Sequence, residues 1–200
     1  MTSKKKKFTV AVDLDDTVWD FVSPLLERYN ETYKDNVRKE QITDWNIHSF
    51  LKPECKSIFA EFGDDDFYSK LRIKPSTKRR LKFINRHANL YFVTACHSAT
   101  MLNRSKALAR ELPWFDDSQL VKLNSKQKFR CSYLIDDCID NCMYSDGESY
   151  LVAQPWNNKV SFETVRRYSD LDYHCLPKRV ADVDKALNEV IRDIWRWRRY

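Results

Sequence analysis

The chain has 200 residues, a formal net charge of +6 and no apolar run of the length needed to cross a bilayer, so it reads as one globular domain with room for a sizeable insertion. Its six cysteines form no Cys-x-x-Cys pair, which argues against a structural zinc site. No signal-like segment stands before the first strand, so reduced thiols and a cytoplasmic location are expected.

The first predicted element is a strand. The run Phe8-Thr-Val-Ala-Val12 is apolar and β-branched, and it ends in three carboxylates, Asp13, Asp15 and Asp16, followed by Thr17. Massing negative charge after a buried strand suits a divalent cation and a phosphate, because open α/β sheets bind ligands where strands end. Asp13 and Asp15, two apart in extended chain, are expected to point the same way, so that one can attack while the other manages a proton. A purely structural reading also exists, since Asp-Asp-Thr is good helix-capping chemistry.

Residues 20–73 contain helix formers and aromatics (Phe21, Tyr29, Tyr33, Trp45, Phe50, Phe59, Phe62, Phe67, Tyr68) and no clear strand. An insertion directly after the first strand sits above that strand's carboxyl end, so it reads as a helical cap whose aromatics mostly form their own small core. Residues 1–19 and 74–200 are then the core domain. A helix is expected over Ser76–His87, entered at Pro75, and another over Ala99–Leu112. Further strands are expected at Leu90–Thr94, Gln119–Leu123, Ser132–Asp136 and Ser149–Ala153. Alternating strands and helices at this spacing give a parallel sheet covered on both faces, with every carboxyl end on one edge. Asp140 reads as a helix cap.

The basic segments lie at the two ends, Lys4–Lys7 and Arg192, Arg196, Arg198 and Arg199, with Trp195, Trp197 and Tyr200 beside the latter. A nucleic acid would suit such a surface. Val180, Val183, Leu187, Val190, Ile191 and Ile194 recur at helical spacing, however, so an amphipathic helix docked on the sheet with solvated arginines is the stronger reading. Nucleic acid and membrane are therefore not expected partners. The oligomeric state stays open, a homodimer included.

Four features fall in order: Asp13-x-Asp15 after the first strand, Thr94 at the end of the second, Lys126 before the fourth, and Asp136-Asp137 at its end. This arrangement resembles the haloacid dehalogenase superfamily of phosphatases. Ile42-Thr-Asp-Trp45, Phe92-Val-Thr-Ala-Cys-His97, Leu134-Ile-Asp-Asp137 and Gln154-Pro-Trp-Asn157 resemble, more narrowly, the 5'(3')-deoxyribonucleotidase family, and so does the stretch from Phe67-Tyr68 to Pro75. The likeness covers the chain up to about Asn158. It implies an α/β fold, a Rossmann-like core with a parallel sheet sandwiched by helices plus a small helical cap, and a phosphatase of deoxynucleoside monophosphates.

The resemblance implies Asp13 as nucleophile and Asp15 as acid and base. It implies Thr94, Ala95 and Lys126 as phosphate ligands, and Mg2+ held by Asp13, the main-chain carbonyl of Asp15 and one of Asp136 or Asp137. The remaining member of that pair then orients Lys126 or a metal-bound water. Phe21 matches a base-contacting aromatic of the family; Trp45, Phe59 and Phe67 rank below it as base contacts, with the cap core as their alternative place. Two departures stand out. Asp16 occupies a position where the nucleotidases usually carry Gly, and Cys96-His97-Ser98 replaces a basic phosphate contact. Cys96 and His97 also make a metal-like pair, although the family uses this loop beside the phosphate. Other readings remain: a superfamily phosphatase for another small ester or for DNA 3'-phosphate ends, or a nucleic-acid-binding protein on a catalytically silent scaffold.

Overall fold

The computed structural model describes residues 8–159 and 176–199. Its sheet runs in the order β3-β2-β1-β4-β5-β6, with β1 Thr9–Val12, β2 Asn89–Thr94, β3 Leu120–Lys122, β4 Tyr133–Asp136, β5 Glu148–Val152 and β6 Lys178–Val180. Every pairing is parallel; Val12 lies between Phe92 of β2 and Ile135 of β4. The chain winds outward from β1 to β3 on one side and from β4 to β6 on the other. The β1/β4 boundary is therefore a topological switch point, where ligands of open α/β sheets bind. Thr94, Asp13 and Asp136 end three neighbouring strands at that place.

The predicted strands agree with those observed to within a residue or two. β6 had no forecast: Lys178-Arg179-Val180 is too short and too basic to carry a strand pattern. Val180 accordingly belongs to β6 and not to the terminal helix.

The helices are α1 Val22–Tyr33, α2 Ile58–Phe62, α3 Asp65–Lys70, α4 Pro75–His87, α5 Met101–Glu111, α6 Ile139–Met143 and α7 Val183–Arg198. Pro75 opens α4, where its missing N–H costs nothing. Asp182 caps α7 by accepting from the Lys185 N–H. The cap of α6 is Cys138, without a side-chain bond; Asp140 sits in the first turn, favourably for the helix dipole but not as the cap.

Segment 20–73 holds α1, α2, α3 and short 3-10 turns, with no strand among the described residues. Its buried side chains do not form a core of their own. Leu25, Tyr29, Ile42, Ile58 and Phe67 join Val10, Val12, Phe92 and Ile135 of the sheet, together with Leu81, Leu108 and Leu187 of α4, α5 and α7, in one continuous cluster. The opposite face of the sheet carries a smaller cluster around Ala11, Val93 and Leu134.

α7 docks as its periodicity predicts, with Val183, Ala186, Leu187, Val190 and Ile194 buried. Asp184 and Asn188 accept from Thr77 and Arg80 of α4. Arg192 pairs with Glu189 and Arg196 with Asp193, Trp195 packs on Phe83, and Trp197 lies edge-on to Phe8. Lys4–Lys7 and Tyr200 lie outside the described residues. The five cysteines within them are free thiols; Cys175 lies outside. No helix among the described residues is long and apolar enough to cross a membrane.

Candidate active site

A cleft of about 720 Å³ opens above the switch point. Asp13, Asp15, Thr94, Ala95, Lys126 and Asp137 line it from the sheet side, and Phe21, Trp45 and Phe59 line it from the inserted segment. The residues singled out in sequence thus meet in one place, apart from Asp136, which lies just beneath, and Phe67, which is packed in the core.

Three carboxylates form the floor. Asp13, Asp136 and Asp137 are buried, and each offers an oxygen within 4.8 Å of the others. Lys126 is the cation among them. Its Nζ donates to Asp13 Oδ1 and, at 2.9 Å, to Asp136 Oδ2. Burial works against the ammonium charge, but Asp13 and Asp136 outweigh it and raise the Lys126 pKa. One ammonium cannot neutralise three carboxylates. Burial pushes Asp13 up to about 7, held back by Lys126 and reinforced by repulsion from Asp136 and Asp15. Asp137 is held well above the usual carboxylate range, first by burial and then by Asp13 and Asp136.

The acidic pair divides its work. Asp136 accepts from Lys126 Nζ, from the Cys138 N–H at 2.8 Å and from Asn141 Nδ2 at 3.2 Å. Asp137 faces the cleft, steadied by Trp156 Nε1 on Oδ2 at 3.0 Å, while Asn157 Nδ2 ties down its main-chain carbonyl at 2.8 Å. This donor set, hard oxygens with excess negative charge at a cleft floor, fits Mg2+. The Cys96–His97 pair lies on the cleft wall, and His97 Nδ1 accepts from the Ala99 N–H; neither joins the cluster.

The raised carboxylates set a pH test. A folded state that binds more protons than the unfolded chain loses stability as pH rises from the ordinary carboxylate value of 3.8 towards about 7. Carboxylates held low, such as Asp20, Glu61 and Glu148, act at lower pH and leave this window clear. The metal-free protein is expected to melt about 5 °C lower at pH 7.5 than at pH 5. If these carboxylates hold Mg2+, the added ion should stabilise more at pH 7.5 than at pH 5, because it would bind their ionised forms. A melting temperature in EDTA that does not change over this range would contradict an excess of buried negative charge in the cluster.

Asp16 explains the departure from glycine. Its φ of 58° lies in the left-handed region, where glycine is the default and Asp is tolerated. The carboxylate offsets the strain by accepting from the Phe21 and Val22 N–H groups at 3.3 Å, the entry of α1, and by pairing with Lys39 Nζ at 2.6 Å. Burial still lifts it to about 6, against the pull of Lys39. Lys39 in turn lies over the Trp156 ring, 5.5 Å from its centroid.

Among the aromatics, Phe21 is only 4 % exposed, wedged against Phe59, Phe67 and Tyr68, whereas Trp45 and Phe59 are 63 % and 45 % exposed. The most exposed rings of the cleft are therefore Trp45, which meets Trp156 edge-on, and Phe59, which stacks on Phe21.

Sequence reasoning missed three site residues. Trp19 Nε1 donates to Asp15 Oδ1 at 2.9 Å, Arg104 Nη2 donates to Asp15 Oδ2 at 2.5 Å, and Trp156 holds Asp137. Trp156 had a signal in the Gln154-Pro-Trp-Asn157 motif. Arg104 had none, as a lone arginine on an amphipathic helix.

A family model described as 5' nucleotidase, deoxy (pyrimidine), cytosolic type C protein matches residues 7–178. A 5'(3')-deoxyribonucleotidase of Clostridium acetobutylicum is 28% identical over 132 residues, 66% of this chain and 73% of that one. One of Bacillus subtilis is 24% identical over 170 residues, 83% and 97%. Among solved structures, a HAD family hydrolase from Deinococcus radiodurans with bound phosphate and sodium matches with a TM-score of 0.60 at 8% identity, covering 96% of this chain and 97% of that one. A family IA HAD hydrolase from Entamoeba histolytica matches with a TM-score of 0.55 at 9% identity, covering 94% and 99%. These two share the fold.

Proposed function

The chain belongs to the 5' nucleotidase, deoxy (pyrimidine), cytosolic type C family, and from that premise we propose a magnesium-dependent phosphatase of deoxyribonucleoside monophosphates that works through an aspartyl-phosphate. The observation that carries the reading is the floor of three buried carboxylates around one buried ammonium. In this reading residues 20–73 are a cap over a core of 1–19 and 74–200. The free thiols suit a reducing cytoplasm.

Asp13 attacks phosphorus, and the bond from phosphorus to the sugar oxygen breaks. Asp15, protonated, gives its proton to that oxygen; as carboxylate it then takes a proton from the water that releases phosphate and restores Asp13. Lys126, with Thr94 and Ala95 at the end of β2, holds phosphoryl oxygens whose charge must be offset as the bond breaks. Asp136 is occupied with Lys126 and backbone, so Asp13 and Asp137, with the main-chain carbonyl of Asp15, would hold Mg2+. When bound, Mg2+ supplies positive charge to the phosphoryl group and favours the ionised nucleophile.

Trp45 and Phe59 are the exposed rings a base would meet, with Phe21 stacked behind Phe59. A cleft roofed by aromatic side chains does not favour a DNA 3'-end, which needs an open basic approach. The test is phosphate release from deoxynucleotides, ribonucleotides and sugar phosphates, with Mg2+ and with EDTA. dUMP or dTMP should lead in Mg2+, and EDTA should abolish release. If sugar phosphates lead, only a general phosphatase survives. Trp45→Ala should raise KM for dUMP about 10-fold and leave p-nitrophenyl phosphate nearly unchanged. Equal loss on both would move the base contact elsewhere.

A further inference from the structure

We propose that Arg104 is a positioning residue for Asp15, fixing the acid–base carboxylate and tying it to the cap segment; this rests on the phosphatase reading above. Arg104 projects from α5 and is 4 % exposed, a costly place for a guanidinium. Nη2 donates to Asp15 Oδ2 at 2.5 Å, while Nη1 donates to Tyr68 Oη at 2.7 Å and Thr100 Oγ1 at 2.6 Å. The guanidinium carbon also lies 5.4 Å and 5.1 Å from the ring centroids of Phe21 and Tyr68. Trp19 takes the other Asp15 oxygen, so the carboxylate is held from both sides.

The Arg104 Nε is buried without a hydrogen-bond partner, so the site bears a desolvation cost beyond that of the paired nitrogens. An apolar side chain of similar volume would fill the space without desolvating a charge. What only arginine supplies is a planar fork that reaches Asp15 through one nitrogen and the α3 residue Tyr68 through the other. Asp15 follows β1 and Tyr68 lies in the inserted segment, so the fork fixes the proton donor relative to the roof of the cleft. Both oxygens of Asp15 are engaged, so one must be released when the leaving oxygen takes its proton. The two fixed donors define where the carboxylate starts and where it returns for the water step.

The prediction separates proton delivery from folding. An alkoxide leaving from deoxyribose needs a proton, whereas p-nitrophenolate leaves without one. kcat/KM reports the steps up to departure of the leaving group, before the water step that both substrates share. Arg104→Gln should lower kcat/KM for dUMP about 100-fold, carried by kcat with KM nearly unchanged, and for p-nitrophenyl phosphate less than about 5-fold; a loss carried by KM would instead mark a substrate contact and overturn the proposal. Arg104→Lys, which keeps the charge and loses the fork, should recover about 10-fold of the dUMP loss. Tyr68→Phe, which keeps the guanidinium and cuts the tie to α3, should show the same substrate bias at about 10-fold. These two milder variants decide the matter if Arg104→Gln does not fold. Parallel loss on both substrates overturns the proposal and makes Arg104 structural. Wild-type protein that releases phosphate from neither substrate overturns the phosphatase reading and the proposal with it.

Discussion

Asp13→Asn is expected to lower kcat/KM for a deoxynucleoside monophosphate by about 10⁴-fold or more while the protein stays folded. The substitution keeps size and shape but removes the charge of the oxygen proposed to attack and one of the carboxylates that would hold Mg2+. Its effect on stability should have the opposite sign. Asp13 is buried beside Asp136 and is pushed up to about 7, so at pH 7.5 its ionised form is a burden on the fold. A neutral amide relieves repulsion within the cluster, and Lys126 keeps Asp136 as its partner. In EDTA at pH 7.5 the variant should therefore melt at or above the wild-type temperature. Steady-state phosphate release and calorimetry on one preparation check both halves. Near-normal turnover would remove the covalent mechanism, and a variant that melts well below wild type would show that Asp13 serves the fold.

Lys126→Met should be damaging in both respects. Lys126 is the buried cation between Asp13 and Asp136, and its loss leaves buried carboxylates without their partner. Removing one side of such a pair destabilises by about 3–5 kcal/mol, roughly 10 °C or more in melting temperature for a chain of this size. In the proposed mechanism turnover should fall about 10³-fold, because the phosphoryl oxygens would lose a fixed positive charge. The two losses can be separated with metal. Mg2+ should restore part of the stability by supplying charge to the cluster, but little of the rate, because the ammonium contacts are not replaced. Full rescue of rate by Mg2+ would show that Lys126 serves only to keep the carboxylates together.

The mainly local features were legible in the chain. The β-branched run ending at Asp13, the apolar runs ending at Thr94 and Asp136, Pro75 at a helix entry and the 3.6-residue period from Val183 to Ile194 are patterns within a few residues. Parallel pairing then forces the ends of β2, β1 and β4 together, so Thr94, Asp13 and Asp136 had to meet.

What the tertiary structure alone decided depends on contacts between distant residues. Arg104 reaches Asp15 across 89 positions, Trp156 reaches Asp137 across 19, and Gln154 Nε2 reaches the Asp16 carbonyl across 138. No periodicity marks such partners. The division of labour within the acidic pair had the same origin: Asp136 turns to Lys126 and Asp137 to the cleft, a difference set by their neighbours and not by their identical side chains. The exposure of the aromatics followed suit, for an insertion packed continuously into the main core buries Phe21 and Phe67 and leaves Trp45 and Phe59 exposed. Sequence determined which chemistry would gather at the strand ends, because backbone pairing is local and repetitive. Packing decided which side chain does which part of it, because burial and hydrogen-bond partners are properties of the assembled chain.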